Sequence, residues 1–132
     1  MNKQFKIGDS ASLSKTIHEG DINLMASITK DDNPIHLNEE YAKTTKFGAR
    51  IAHGIFCNGV VSAVLGTILP GNDCIYIGQN LDYIKPVYIG DTIIAEVILR
   101  YITRNKYYSF SVKCTNQHGM LIAKGVSKIL IP

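Results

Sequence analysis

The chain has 132 residues, of which 45% are hydrophobic and 19% are charged. This length predicts a single domain over residues 1–132, and the composition excludes an intrinsically disordered chain. The formal net charge is only +3 and the basic residues are scattered along the sequence, which excludes a basic stripe for nucleic acid.

The first quarter of the chain predicts a strand followed by a helix. Residues 11–17, "ASLSKTI", alternate weakly between polar and apolar side chains, as a strand does. Residues 18–29 repeat apolar side chains at helical spacing. This helix should end before Asn33, because a following proline, here Pro34, disfavours helical conformation in the residue that precedes it. The cluster "DDNPIH", residues 31–36, is therefore predicted to be a loop at the helix C-terminus.

Two more helices are predicted before the middle of the chain. Residues 37–45 suit a short helix with Asn38 as N-cap and Glu39 in the first turn, where the helix dipole favours a negative charge. Residues 54–69, "GIFCNGVVSAVLGTIL", are apolar or small almost all round. A helix with so little polar surface is predicted to be buried on most sides.

The second half of the chain predicts four long strands with turns between them. They cover residues 74–84, 92–104, 106–116 and 120–131. A strand, then helices, then consecutive antiparallel strands is the pattern of the α+β class. A curved sheet wrapped around the apolar helix would cover that helix. Such a sheet keeps a free edge, which predicts a homodimer and leaves a higher oligomer open.

The cluster at residues 31–36 combines groups suited to proton transfer. Asp31 and His36 could hold one water between them, and modest burial brings a carboxyl pKa towards the imidazole range. The alternative is structural: Asp31 and Asp32 would be solvated turn residues, Asn33 would form an Asx turn, and His36 would be a packed or surface imidazole. The six residues alone do not decide between these readings.

A second candidate group follows in "AHGIF". Gly54 stands where the apolar helix should begin, so its backbone N–H would be an unpaired donor at the positive helix end. Such a donor can stabilise a carbonyl oxygen that becomes negative during a reaction. The alternative is a glycine that only permits close packing. His53 would be a cap or a wall residue that shapes the site or binds substrate.

The cysteines and the apolar segments predict a reduced, cytoplasmic protein that does not bind membranes. Cys57, Cys74 and Cys114 are odd in number and lack CxxC spacing, so neither a disulfide framework nor a zinc site is predicted. The first ten residues lack the apolar core of a secretory signal, and no run reaches the roughly 20 apolar residues that span a bilayer.

The run "ITKDDNPIHLNEEYAKTTKFGARIAHGIF" resembles the D-x-N-P-x-H motif followed by H-G in R-specific enoyl-CoA hydratases of the MaoC-like family. The segment "PVYIGDTI" and the strands after it follow the same family pattern, so the resemblance covers most of the chain. It implies the hot-dog fold, in which an antiparallel curved sheet wraps around a central helix.

The resemblance also implies roles for particular residues. Asp31 and His36 would be the catalytic pair, and the Gly54 N–H would polarise the thioester carbonyl. Asn33 would shape the loop. Ser62, in the apolar helix, matches a serine common near the site of this family.

The implied activity is that of a hydro-lyase. It would hydrate trans-2-enoyl-CoA reversibly to (R)-3-hydroxyacyl-CoA, without a metal or other cofactor, since coenzyme A is part of the substrate. Lys43, Lys46 and Arg50 could contact the coenzyme A phosphates. Two alternatives stay open: a hot-dog thioesterase, in which the same water attacks the thioester carbonyl, and a non-catalytic subunit that binds acyl-CoA or another protein.

Overall fold

The computed structural model describes residues 4–132, which form one five-stranded sheet and four helices. The elements in chain order are β1 (Ser10–Thr16), α1 (Glu19–Thr29), α2 (Pro34–Leu37), α3 (Glu39–Lys43), α4 (Ile55–Thr67), β2 (Ile75–Tyr83), β3 (Thr92–Thr103), β4 (Tyr107–Thr115) and β5 (Leu121–Leu130). The predicted strands match these bounds to within two residues, and the α+β class is confirmed.

The sheet is antiparallel, with strand order β1-β3-β4-β5-β2. Strands β3, β4 and β5 are joined by turns and pair with their neighbours in sequence, whereas β1 and β2 form the two edges. The inner face presents small and branched side chains, such as Ala95, Val97 and Val112, all of which are buried. Helix α4 packs against this face.

Helix α4 is buried along one side only. Its core side carries Cys57, Val61 and Leu65, each almost completely removed from solvent. Full burial of such an apolar side chain is worth about 1.5–3 kcal/mol. The opposite side carries Gly59 and Ser62, which are exposed. The prediction that this helix is buried on most sides is therefore wrong for the single chain, because one sheet covers only one side of a helix.

The cluster at residues 31–36 is not entirely a loop. Pro34 begins the short helix α2, and the Asn33 side chain caps it by accepting a hydrogen bond from the Ile35 N–H at 3.2 Å. Proline is favourable at the first helical position because its missing N–H would have no partner there and its φ angle is already helical. The loop prediction is therefore correct for residues 31–33 and wrong for the rest.

Two of the three cysteines lie in the core, and the helices are short. Cys57, Cys74 and Cys114 are free thiols, and Cys57 and Cys114 are buried. From residue 4 onwards, the helices are all too short or too polar to cross a bilayer.

Candidate active site

Asp31 lies in a tight turn directly after helix α1. Lys30 ends the helix in the left-handed conformation, with φ 63°. The Asp31 N–H then donates to the Thr29 hydroxyl at 3.1 Å, and the Asn33 N–H donates to Asp31 Oδ1 at 3.3 Å. These local hydrogen bonds hold the carboxylate at the end of α1 while leaving it exposed to solvent.

His36 lies on α2 with its ring buried and its tautomer fixed. Its Nδ1 lies 2.7 Å from the Ile51 carbonyl oxygen. Because a carbonyl only accepts, Nδ1 carries the proton and Nε2 of the neutral ring is a free acceptor. Burial lowers the pKa of His36 from 6.5, outweighing the opposite effect of the Ile51 hydrogen bond, and His53 lowers it further. His36 is therefore neutral at pH 7.

His53 lies against both members of the candidate pair. Its Nε2–H donates to the Asp31 carbonyl at 2.9 Å, and its ring stacks on His36 with 3.9 Å between centroids and 26° between planes. The side chain is 2% exposed, and its Nδ1 has no hydrogen-bond partner among residues 4–132.

Arg50 links helix α2 to helix α1. Its Nε donates to the His36 carbonyl and its Nη1 to Glu19, both at 2.6 Å. The Arg50 side chain is 10% exposed, whereas that of Glu19 is 65% exposed. A buried guanidinium satisfied in this way fixes the backbone of His36. It is not free to bind a phosphate, so the suggestion that Arg50 contacts coenzyme A is wrong.

A cleft of about 300 Å³ opens between α2, the start of α4 and the end of β2. His36 and Gly54 both line it. Gly54 is the N-cap of α4, and its N–H finds no acceptor within the described part of the chain. An unpaired backbone donor at a helix N-terminus therefore belongs to a residue that lines the cleft.

Tyr83 explains why the helix begins with glycine. A Cβ on Gly54 would lie 3.1 Å from two Tyr83 ring carbons, which is closer than ordinary packing allows. The Tyr83 hydroxyl donates to Asn58 Oδ1 at 2.5 Å, which ties the ring to α4. Tyr83 was not predicted as a site residue, because a tyrosine at the end of a strand is typical of ordinary packing.

The structure brings together four of the predicted site residues. Ligand atoms of Asp31, His36 and His53 all lie within 4.8 Å of one another, and Gly54 shares the cleft with His36. Asn33 does not belong to this group, but its side chain caps α2, the helix that carries His36. Ser62 lies on the exposed side of α4 and does not line the cleft of the single chain.

The two stacked imidazoles are poorly placed to share a metal ion. A ligating imidazole holds the ion near its ring plane, about 2.0–2.1 Å from nitrogen. Rings stacked at 3.9 Å and 26° have no such point in common. The stacked geometry is therefore unfavourable for a metal ion shared by the two rings.

These features define a hot-dog domain that carries an acid–imidazole pair beside a helix N-terminus. The MaoC like domain family matches residues 4–119. The chain is 45% identical to an (R)-specific enoyl-CoA hydratase of Rhodospirillum rubrum, over 98% of this chain and 90% of that protein. The chain belongs to the MaoC-like family.

Two further comparisons support the fold and widen the set of relatives. The solved structure of the (R)-hydratase from A. caviae involved in PHA biosynthesis has a TM-score of 0.94 and 32% identity, and covers 99% of this chain and 100% of its own. A mitochondrial 3-hydroxyacyl-[acyl-carrier-protein] dehydratase of Arabidopsis thaliana is 31% identical over 96% of this chain and 78% of its own length. The hot-dog fold is confirmed.

Proposed function

We propose that this chain hydrates trans-2-enoyl-CoA reversibly to (R)-3-hydroxyacyl-CoA. The observation that carries the proposal is the convergence of the Asp31 carboxylate and the His36 ring, whose Nε2 is free, beside a cleft that Gly54 also lines. The R configuration and the thioester substrate follow from the similarity to the (R)-specific hydratase of Rhodospirillum rubrum.

The Asp31 carboxylate and His36 Nε2 together activate the water. A water between them donates one hydrogen bond to Asp31 and one to His36 Nε2, and its oxygen is left free to attack C3 of the enoyl group. As the C3–O bond forms, the pair removes a proton from the water, and the electrons of the double bond move towards the thioester oxygen. A proton returned from the pair to C2 completes the addition of H and OH.

The negative charge that develops on the thioester oxygen needs a donor already in position. The Gly54 N–H supplies it, at the positive end of α4. One such donor is worth about 3 kcal/mol in the transition state. A Cβ at this position would lie 3.1 Å from the Tyr83 ring, so a larger residue would require that ring to shift. The reaction requires no metal and no cofactor beyond the coenzyme A of the substrate.

The direct test follows the enone absorbance of crotonyl-CoA and hexenoyl-CoA with purified protein. We expect it to fall, and chiral analysis to give the R product. Unchanged absorbance would contradict the proposal. Release of free thiol without a hydroxyacyl product would instead indicate the thioesterase, and binding without turnover would indicate the non-catalytic subunit.

We also propose that the chain acts as a homodimer. The edge strand β2 exposes Ile75 and Ile77, and the outer side of α4 exposes Ile55. Apolar residues at a free sheet edge and on an uncovered helix favour association with a second copy. We expect light scattering at micromolar concentration to give the mass of a dimer or a multiple of it. A monomer would contradict this. The cytoplasmic location stays a prediction.

His53 is proposed as a positioning residue. We expect His53→Leu to lower kcat about 10²-fold with little change in KM, because the Asp31 backbone loses its donor and the carboxylate shifts relative to His36. His53→Gln places an amide N–H near the position of Nε2, so it should recover much of that loss. Steady-state kinetics of both variants measures the difference.

The comparison separates positioning from general destabilisation. Both substitutions remove the ring that stacks on His36, so the thermal unfolding temperature should fall in both variants. Equal kcat in the two variants would show that the hydrogen bond to Asp31 has no role in catalysis.

A further inference from the structure

A second depression adjoins the catalytic cleft. It measures about 350 Å³, and its lining includes Tyr88, Asn116 and His118. Lys85 and Pro86 line both this depression and the catalytic cleft. The two depressions therefore adjoin across Lys85 and Pro86, in the segment between β2 and β3, and are together called the groove.

The two ends of this groove differ in chemistry. The catalytic end is walled mainly by apolar side chains, Phe47 and Val87 among them. The outer end is polar and contains Lys85 and His118. An acyl chain is therefore better accommodated on the catalytic side, and the outer depression suits the polar carrier to which the acyl group is attached.

The base of Lys85 is fixed although its side chain is exposed. The backbone N–H groups of Ile84 and Lys85 both donate to the Ile122 carbonyl, at 2.8 and 3.3 Å. Asp91 also lines the depression, but both of its carboxylate oxygens accept hydrogen bonds, from the Tyr88 N–H at 2.9 Å and from Gln117 at 2.7 Å. Lys85 is not among the residues that form ion pairs within residues 4–132.

We propose that Lys85, at the junction of the two depressions, binds a phosphate on the pantetheine arm of the thioester substrate. The inference rests on the proposed function and deepens it, because it names the group that recognises the carrier. Lys85 is the lysine that lines both depressions. A phosphate at the 4′ position of pantetheine is shared by coenzyme A and by acyl carrier protein.

The test compares three crotonyl thioesters that differ in phosphate: crotonyl-CoA, crotonyl-4′-phosphopantetheine and crotonyl-pantetheine. Lys85→Met should raise KM for the two phosphorylated substrates about fivefold, equivalent to about 1 kcal/mol, and leave kcat unchanged. KM for crotonyl-pantetheine should not change. A rise confined to crotonyl-CoA would overturn the 4′-phosphate site, because only the phosphates of the nucleotide end, which acyl carrier protein lacks, would then be affected.

Two matched variants act as controls. Lys43 pairs with Glu40 at 3.3 Å and does not line the groove, so Lys43→Met should behave as wild type with all three substrates. Lys46 lies 5.3 Å from the centroid of the Phe47 ring, which lines the catalytic cleft. The proposal is overturned if Lys85→Met raises KM equally for all three substrates, or if Lys46→Met alone shows the phosphate-dependent rise.

A binding measurement keeps this test independent of turnover. Calorimetric titration with free coenzyme A and with pantetheine should show weaker coenzyme A binding in Lys85→Met and equal pantetheine binding. Equal coenzyme A binding by wild type and variant would overturn the phosphate site even if hydration is observed. Absence of hydration with a retained Lys85 effect would instead overturn the proposed function alone.

Discussion

Asp31→Asn is expected to lower kcat for crotonyl-CoA hydration about 10³-fold, within the range that general acid–base groups contribute. The amide keeps the size of the carboxyl group and can still accept the Asn33 N–H hydrogen bond through its oxygen. It loses the charge and the second acceptor, so the water between residue 31 and His36 can no longer be deprotonated by the pair. Steady-state kinetics with crotonyl-CoA measures the loss.

The adjacent carboxylate provides the control. Asp32 is exposed like Asp31, but it is not part of the group that includes His36 and His53. Asp32→Asn makes the same chemical change one residue away and should retain near wild-type activity. Both variants should unfold within about 0.5 kcal/mol of wild type, as exposed substitutions usually do. Equal losses of activity in the two variants would show that residue 31 has no special place in the reaction.

The fold could be predicted from the sequence because the patterns that specify its elements are local. The alternation of β4 around Phe110 and Val112, the turns between strands and the apolar length of α4 each specify one element. Their order then leaves few arrangements in which a single helix lies on an antiparallel sheet. The outer side of α4 was misjudged, because composition does not state how many layers of structure cover a helix.

The site could be predicted only in part, because some of its residues come from segments that are distant in sequence. Asp31 and His36 share one short segment, so the motif brings them together, and Gly54 follows from the start of a helix. Tyr83 and Lys85 reach the cleft only through the pairing of β2 with β5, which no local pattern specifies. The position of Ser62 depends on the face of α4 that turns outward, which the spacing of apolar residues alone does not fix.

The role of His53 was hidden by its chemistry. A histidine before a helix start is compatible with a cap, a wall or a surface position. Its actual place depends on two contacts that are distant in sequence, the hydrogen bond to the Asp31 carbonyl and the stacking on His36. Only the folded chain brings the residues at positions 31, 36 and 53 together.

The acid limb of the pH profile is expected to report His36. Its pKa is lowered chiefly by burial, and the reaction needs the neutral ring as acceptor, so kcat/KM should stay high as pH falls to 6.5 and decline only below that. Two neighbours act on the His36 ring in opposite directions. The Asp31 carboxylate raises the pKa of His36, and the stacked His53 ring lowers it. A decline already centred above pH 6.5 would contradict a buried neutral base.

The same shift predicts how stability depends on pH. The unfolded chain binds a proton at this histidine more readily than the folded chain does, so the free energy of unfolding falls as pH drops through 6.5 towards the lowered pKa of His36. Above 6.5 both states are neutral at this position and the contribution is constant. Chemical denaturation of wild type at several pH values measures the slope.

His36→Asn is expected to lower kcat about 10³-fold because it removes the Nε2 acceptor. The asparagine amide can still donate to the Ile51 carbonyl, since its nitrogen lies near the position of Nδ1. The local fold should therefore persist, with a loss of about 1–2 kcal/mol from the smaller side chain. His18→Asn changes an exposed histidine outside both the catalytic cleft and the outer depression and should retain kcat. If His36→Asn kept wild-type turnover, Asp31 alone would have to activate the water.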